Sequence, residues 1–279
     1  MTENSTGSPG FWDRAATWKA VLLIVVYLAF YLGVGAIIKQ VFGGQIDEDD
    51  VLSSASSIVL GVVLPIGIGA AALVIFTARV GWLRDIFGSQ PIRGRGWMWI
   101  APILVAAAIV AHIAGTDWDN WSAQDLVAMA LVGVCVGVAE ELATRGLAVK
   151  ILRDAGHAER YVAFVSSLLF ALMHTANLIS GMAVTTVAAT VVYTFGFGMC
   201  MYLTMRVTGT IWAAIVLHGL TDPTTFLSTG GLDKAVTDQA SGASTLAAVA
   251  TVLLILFAIV AAFLVRGKAE PEQHGVVTS

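Results

Sequence analysis

The sequence predicts an all-α integral membrane protein of eight transmembrane helices with both termini in the cytoplasm. Of its 279 residues, 57% are hydrophobic and 12% are charged, and the mean hydropathy is +0.83. This composition is typical of membrane proteins rather than of soluble domains. Eight apolar runs are each long enough to cross a bilayer, for which about 20 helical residues suffice. Basic and acidic residues also alternate between successive loops.

The eight apolar runs divide the chain evenly. They cover residues 20–38, 58–78, 97–114, 126–149, 161–179, 182–205, 210–227 and 245–265. The first run is longer than the apolar region of a secretory signal peptide, and no clear small-x-small cleavage site follows it. We therefore expect this run to be a retained helix. Pro65 and several glycines interrupt the second run, whereas Trp97 and Trp99 open the third as interfacial residues.

The loop charges predict the orientation. Cations lie before the first run, after every second run and after the last one, at Arg14, Lys19, Arg79, Arg84, Arg93, Arg95, Lys150, Arg153, Arg160, Arg206, Arg266 and Lys268. The acidic segments 47–50 and 117–125 fall in the intervening loops. Because cytoplasmic loops carry the excess of Lys and Arg, both termini are predicted to be cytoplasmic. We expect a multi-pass protein of a bacterial cell membrane.

The domain organisation follows from the same pattern. We expect a polar N-terminal tail over 1–19, a single membrane domain over 20–265 and a polar C-terminal tail over 266–279. The net charge of −4, without a basic block, argues against a nucleic-acid partner. Cys135 and Cys200 both lie in apolar runs, which suggests neither a disulfide framework nor a cysteine metal site.

The fourth run ends in an unusual group of charges, A-E-E-L-A-T-R, at residues 139–145. A charged residue at the centre of a membrane helix costs about 2.5–3.5 kcal/mol on insertion scales. Glu141 and Arg145 are four apart and are predicted to pair on one helix face. Glu140 lies about 100° round the helix from Glu141 and is left available. The alternative is that all three residues form an interfacial ion cluster.

Further polar residues lie within the later runs. His174 is in the fifth run, and His218 and Asp222 share a face of the seventh because they are four apart. Counted from the cytoplasmic helix ends, His218 lies about 12 Å deep, Glu140 about 15 Å and His174 about 20 Å. These depths predict that Glu140, His174, His218 and Asp222 meet in one pocket in the cytosolic half of the membrane.

Two chemistries are open to such a set. In one, Glu140 is a general base on water while the histidines orient it and stabilise an oxyanion. In the other, Glu140, His174 and His218 bind zinc, which activates the water. No H-E-x-x-H motif is present to favour a metal. We favour metal-independent activation by Glu140 and keep zinc as a possible cofactor.

Three motifs occur in order, E-E-x-x-x-R at Glu140, F-x-x-x-H at Phe170 and H-x-x-x-D at His218. Together they resemble the CAAX-protease and bacteriocin-processing family, also called Abi, and its Rce1-like prenyl-protein endopeptidases. The resembling core covers about residues 124–228. A fourth feature of this core is Gly133-x-x-x-Gly137, which predicts close approach by a neighbouring helix.

The resemblance implies an eight-helix, glutamate-dependent intramembrane protease, by family naming a metalloprotease, with a cavity open to the cytosol. It implies that Glu140 activates water with His174, that His218 and the residue four further on stabilise the oxyanion, and that Glu141 and Arg145 support the site. That last position is Asn in eukaryotic-type members. The carboxylate of Asp222 accepts but cannot donate, so we expect it to orient His218. Pro223 is expected to bias Asp222 away from helical geometry.

The predicted function is hydrolysis of a peptide bond in a membrane-associated protein or peptide near the cytosolic leaflet. The alternative is a non-enzymatic scaffold, accessory or immunity protein of the same fold that binds a membrane-protein partner. A scaffold has no need of an unpaired Glu140, which favours the enzyme. A transporter would also explain charges within the membrane, but the chain shows no internal repeat.

Overall fold

The computed structural model describes residues 10–230 and 241–269, so that residues 1–9 of the predicted N-terminal tail and 270–279 of the predicted C-terminal tail lie outside the described part. Within it the chain forms eight long helices, and its one β-bridge joins Ala158 to Lys268. The helices are α1 Thr17–Phe42, α2 Ala55–Arg79, α3 Gly96–Gly115, α4 Ala123–Asp154, α5 Glu159–Leu178, α6 Val184–Thr208, α7 Ile211–Thr229 and α8 Ser241–Leu264. A short helix, Leu83–Phe87, lies between α2 and α3. The predicted all-helical class is confirmed.

Seven of these eight helices are long and apolar enough to cross a membrane, and α7 is the exception in the described chain. It has sufficient length, but His218, Asp222, Pro223 and several threonines lower its hydropathy. By hydropathy, α7 is therefore the weakest candidate for a transmembrane helix among the eight. It is also the helix that carries His218 and Asp222, two of the predicted site residues.

Successive helices run in alternate directions, so that the charged loops gather at opposite ends of the bundle. At one end, Glu159 N donates to Gly267 O at 2.9 Å, and Gln90 N donates to Gly209 O at 2.9 Å. At the other, Trp121 Nε1 donates to Leu227 O at 3.1 Å. The first is called the basic end and the second the acidic end, after their loop residues. Both termini of the described chain lie at the basic end.

A buried ion cluster ties the elements together at the basic end. Glu159 Oε1 accepts from Arg153 Nε at 2.8 Å, and Glu159 Oε2 accepts from Arg153 Nη2 at 2.9 Å and from Arg206 Nη1 at 2.7 Å. The Tyr202 hydroxyl donates to the same Oε2. These four residues, here called the closed cluster, connect the ends of α4 and α6 to the start of α5.

α4 and α7 cross in very close contact, as Gly133-x-x-x-Gly137 predicts. A Cβ placed on Gly133 would lie 2.0 Å from Gly219 O, and one on Gly137 would lie 2.5 Å from Ile215 O. Backbone packs directly on backbone here, and no larger residue fits without separating the helices. This contact brings the site residues of α7 next to those of α4.

Pro223 lies inside α7 without ending it, and Asp222 stays helical. The expectation that Pro223 moves Asp222 away from helical geometry is therefore wrong. Proline removes the hydrogen bond to the carbonyl four residues earlier, which here belongs to Gly219. That carbonyl lies against Gly133 of α4. Membrane helices tolerate proline where a neighbouring helix covers the freed group.

α4 is also longer than its apolar run and changes its winding. Its α-helical part ends at Glu141, a π-helical segment covers Leu142–Ala148, and α-helix resumes over Val149–Asp154. The loop predicted to begin at Lys150 is thus partly helical, and Lys150 Nζ pairs there with Asp85 at 2.9 Å and with Asp154 at 3.2 Å. π-helical turns within α-helices often mark functional sites, and this one directly follows the two glutamates.

Candidate active site

The predicted pair between Glu141 and Arg145 is confirmed. Arg145 Nη1 lies 3.2 Å from Glu141 Oε1, and neither side chain is exposed. Nη1 also donates to the Thr144 hydroxyl, and the guanidinium lies 4.4 Å from the centre of the Phe170 ring. A Cβ on Gly198 would lie 2.9 Å from Arg145 Nη2. The Arg145 side chain therefore has a fitted position between α4, α5 and α6.

Glu141 makes a second contact that the sequence did not predict. Its Oε1 lies 2.7 Å from His218 Nδ1. Because a carboxylate only accepts, His218 Nδ1 donates this hydrogen bond. The two residues are 77 positions apart, and no local motif connects them. Glu141 therefore does more than pair with Arg145, since it fixes the orientation of the His218 ring.

The other ring nitrogen of His218, Nε2, lies near two more carboxylates. His218 Nε2 lies 3.7 Å from Glu140 Oε2 and 3.8 Å from Asp222 Oδ2. The Glu140 side chain is 21% exposed and that of Asp222 is 31% exposed, whereas Glu141 is fully buried. Glu140 is thus the accessible one of the adjacent glutamates, as helix geometry predicted, although His218 lies closer to it than expected.

His174 lies where α5 changes from α-helix to a 3₁₀ turn over His174–Leu178. Its Nδ1 donates to Phe170 O at 3.0 Å, because a carbonyl can only accept. This bond leaves Nε2 as the nitrogen available for chemistry. The Phe170 ring centre is 5.0 Å from that of His174 and 5.5 Å from that of His218. One aromatic side chain thus spaces the two histidines.

Glu140 and His174 line one cavity of about 90 Å³, which has room for about three water molecules at roughly 30 Å³ each. The other lining residues are Tyr27, Leu28, Tyr31, Ile66, Met173, Ala176 and Asn177. The two tyrosines come from α1 and were missed by the sequence analysis. Two phenolic side chains four apart in an otherwise apolar run were the signal that could have identified them.

The site holds more carboxylates than cations. Glu140, Glu141 and Asp222 surround His218, and Arg145 supplies the guanidinium. Among the described residues, Glu141 Oε2 and Arg145 Nε and Nη2 are buried without a hydrogen-bond partner. Buried polar atoms without a protein partner commonly bind water or a ligand. The four predicted residues and their two supports are therefore brought together in a group that is incompletely satisfied by the protein.

The side chains do not form a ready metal site. Across residues 10–230 and 241–269, no group of three or more His, Cys, Asp or Glu is arranged to hold a metal ion. Both histidines have Nδ1 hydrogen-bonded, as metal-ligating histidines usually do. However, Glu140, His174 and His218 are not gathered as ligands. Metal-independent activation stays the prediction, with zinc as the alternative that elemental analysis tests.

The comparison with protein families agrees with the motifs. Residues 121–224 match the family model for Rce1-like proteins, described as type II CAAX prenyl endopeptidases. This confirms the predicted family resemblance, and the matched segment agrees closely with the predicted core of 124–228. It contains all six predicted residues, Glu140, Glu141, Arg145, His174, His218 and Asp222. No curated protein matches the chain, and no solved structure matches it.

Proposed function

We propose that this membrane protein with an Rce1-like segment is an intramembrane endopeptidase that hydrolyses a peptide bond of a membrane-associated substrate. One observation carries the proposal. The accessible carboxylate of Glu140 shares a cavity with His174 and lies 3.7 Å from His218 Nε2, inside an apolar bundle. Hydrolysis needs a general base, a position for the attacking water and a hydrogen-bond donor for the oxyanion. Glu140, the cavity and His218 can supply these.

In the first step, a water molecule in the cavity is oriented by Glu140 and His174. Glu140 takes one proton from this water while the water oxygen attacks the carbonyl carbon of the substrate. The carbonyl oxygen becomes an oxyanion, and Glu140 becomes a neutral carboxylic acid. Activation by a positioned base typically contributes 10²–10⁴-fold to the rate.

His218 is placed to stabilise the oxyanion. Nδ1 donates to Glu141, and the carboxylates of Glu140 and Asp222 near Nε2 favour a proton there as well. The doubly protonated ring then donates from Nε2 to the oxyanion. Asp222, which only accepts as a carboxylate, orients the ring and contributes no hydrogen bond of its own to the oxyanion.

In the last step the tetrahedral intermediate collapses. The carbon–nitrogen bond breaks, and the proton held by Glu140 passes to the leaving nitrogen. The products are a new carboxyl group and a new amine, and Glu140 returns to its carboxylate form. Glu141 and Arg145 stay paired throughout and keep the His218 ring in position.

In the proposed topology α7 also spans the membrane, which brings the number of transmembrane helices to eight. The basic end lies in the cytoplasm of a bacterial cell. The positive-inside rule supports this orientation. Substrates would then be peptides or proteins at the cytosolic leaflet. The family description is that of a type II CAAX prenyl endopeptidase, and the proposal here does not require a prenyl group on the substrate.

The test compares membranes from cells that express the full chain as wild type, Glu140→Gln or Glu48→Gln, at matched protein levels. Glu48 is the control because it is an exposed loop carboxylate paired with Lys39 at 2.8 Å. New protein N-termini are labelled and identified by mass spectrometry. We expect a set of termini in the wild type and Glu48→Gln that is missing in Glu140→Gln. Identical termini in all three would reject the protease and favour a binding role.

Metal dependence has its own test. We expect protein purified without added zinc to contain far less than one zinc per chain and to keep its activity in a chelator. Elemental analysis and a chelator assay on the same preparation check this. Near-stoichiometric zinc together with loss of activity on chelation would replace the metal-free scheme with Glu140, His174 and His218 as ligands.

A further inference from the structure

An open groove lies between α5, α6 and α8 near the basic end. Its volume is about 500 Å³. Phe164, Phe195, Ile259 and Phe263 form an almost wholly apolar surface, and the Phe164 and Phe195 rings meet at 5.4 Å. Phe263 is 61% exposed. None of these residues lines the cavity of Glu140 and His174, so the groove is a separate feature of the bundle.

A cation lies at the rim of this groove. Arg160 is exposed, donates from Nε to Ala262 O at 3.2 Å, and holds its guanidinium 5.3 Å from the centre of the Phe263 ring. In the part of the chain that the structure describes, no carboxylate lies within ion-pair distance of Arg160. Within residues 10–230 and 241–269, neutral groups therefore position this charge and no carboxylate pairs with it.

Two further cations lie near Arg160 at the basic end. Arg266 is exposed and donates from Nη1 to Phe263 O at 2.7 Å. Lys268 is exposed, and its backbone pairs with Ala158, two residues before Arg160. The adjacent carboxylate of Glu159 faces inward to Arg153 and Arg206. The described rim residues thus carry positive charge above an apolar groove. This arrangement is complementary to an amphiphile with an anionic headgroup and an acyl chain.

We propose that the groove binds one anionic phospholipid, with its phosphate on Arg160 and an acyl chain along Phe164, Phe195, Ile259 and Phe263. The flanking helices α5, α6 and α8 are all apolar enough to cross a membrane, so the groove faces hydrocarbon and its rim lies at headgroup level. Basic pockets between transmembrane helices at the headgroup level bind anionic lipids in this way. The lipid site is independent of the proposed proteolysis.

The first test measures the melting temperature of the full chain in detergent, titrated with phosphatidylglycerol or with phosphatidylcholine of the same acyl chains. We expect phosphatidylglycerol to stabilise the wild type at lower concentration than phosphatidylcholine. Arg160→Gln should raise the half-effective phosphatidylglycerol concentration about fivefold, the factor that corresponds to about 1 kcal/mol per basic residue. Arg84→Gln removes an exposed cation at the same end, outside the groove, and should leave it unchanged.

The second test separates a groove site from attraction to the surface. Ile259→Trp fills part of the groove at a half-exposed position without changing any charge, and it should also weaken the response to phosphatidylglycerol. Glycerol phosphate, which has the headgroup charge but no acyl chain, should not shift the melting temperature. Equal responses of the wild type to both lipids would overturn the proposal. So would an unchanged response in Arg160→Gln or Ile259→Trp, or a full effect of glycerol phosphate.

Discussion

Two buried groups of charges in this protein are built in opposite ways. In the closed cluster at the basic end, both oxygens of Glu159 are bound by Arg153 and Arg206, with Tyr202 added. In the candidate site, three carboxylates share one arginine and one histidine. The first cluster has more cations than anions, whereas the second has an excess of carboxylates and borders a cavity of about 90 Å³.

The difference shows how the same residue types serve stability or chemistry. Burying a charge is costly unless it is paired and hydrogen-bonded. The closed cluster satisfies its carboxylate completely, and among its atoms only Arg206 Nε is buried without a partner. The site leaves Glu140 partly exposed and three atoms of Glu141 and Arg145 without partners in the described chain. An incompletely satisfied group can respond to water and substrate, and a saturated one holds helices together.

The largest expected effect is on activity. Glu140→Gln and His174→Ala should each lower the rate of peptide cleavage by about 10²–10⁴-fold, the usual contribution of a positioned acid or base. Both variants should reach the membrane and melt at the wild-type temperature, because neither residue belongs to the buried Glu141–Arg145 pair. The measurement is cleavage of an identified substrate together with thermal unfolding in detergent. Full cleavage by Glu140→Gln would contradict its role as the base.

The same chemical change in the closed cluster should act on stability. Glu159→Gln leaves two buried guanidinium groups without a carboxylate, and breaking a buried ion pair costs about 3–5 kcal/mol. We expect a clearly lower melting temperature than for the wild type and for Glu140→Gln, the matched glutamate-to-glutamine control. Equal melting temperatures of the two variants would show that the closed cluster contributes no more to stability than the site does.

Much of the fold followed from hydropathy and charge, because each apolar run has to bury its backbone polar groups as a helix. The eight runs correspond to α1–α8, and the alternating loop charges correspond to the two ends of the bundle. The errors lie where polar residues are satisfied by tertiary contacts. α4 continues past Lys150, where Asp85 from the short helix pairs with that lysine, and α7 continues through Pro223, where Gly133 of α4 covers the freed carbonyl.

The site was predictable to the extent that it rests on helix periodicity. Spacing alone indicated that Glu141 pairs with Arg145, and depth alone indicated that Glu140, His174 and His218 converge. Contacts across long sequence separations were not predictable. These include the bond between Glu141 and His218, the tyrosines that α1 contributes, and Glu159, which appeared in the sequence only as part of a basic loop. The π-helical turn after Glu141 had no sequence signal either.

Arg145 is part of the site but is buried as deeply as the closed cluster, so its loss should combine both effects. Arg145→Ala leaves Glu141 unpaired on one side, and we expect a loss of about 3 kcal/mol in unfolding free energy, at the lower end for buried pairs. Activity should fall as well, since Glu141 orients His218. Arg145→Lys keeps the charge and should recover part of the stability but not the contact over Phe170. Wild-type melting of Arg145→Ala would mean that water solvates Glu141.

The smallest expected effect concerns α1, which lies outside the matched family segment yet supplies Tyr27 and Tyr31 to the cavity. A Tyr-to-Phe change removes only the hydroxyl and keeps the ring, which for Tyr27 packs beside Gly69. If the two hydroxyls help to order water beside Glu140, each Tyr-to-Phe change should lower kcat/KM roughly 2- to 10-fold, because one hydrogen bond contributes about 0.5–1.5 kcal/mol.

Tyr161→Phe is the matched control for both tyrosines, since Tyr161 lies at the basic end and its hydroxyl is 3.5 Å from Thr17 Oγ1. Cleavage rates and melting temperatures of the three single variants and the double variant should be measured together. A reduced rate at unchanged melting temperature in the two cavity variants, with a normal rate in Tyr161→Phe, would show that α1 contributes to the candidate site. A double variant with the wild-type rate would confine the chemistry to α4, α5 and α7, and the tyrosine hydroxyls would then have no catalytic part.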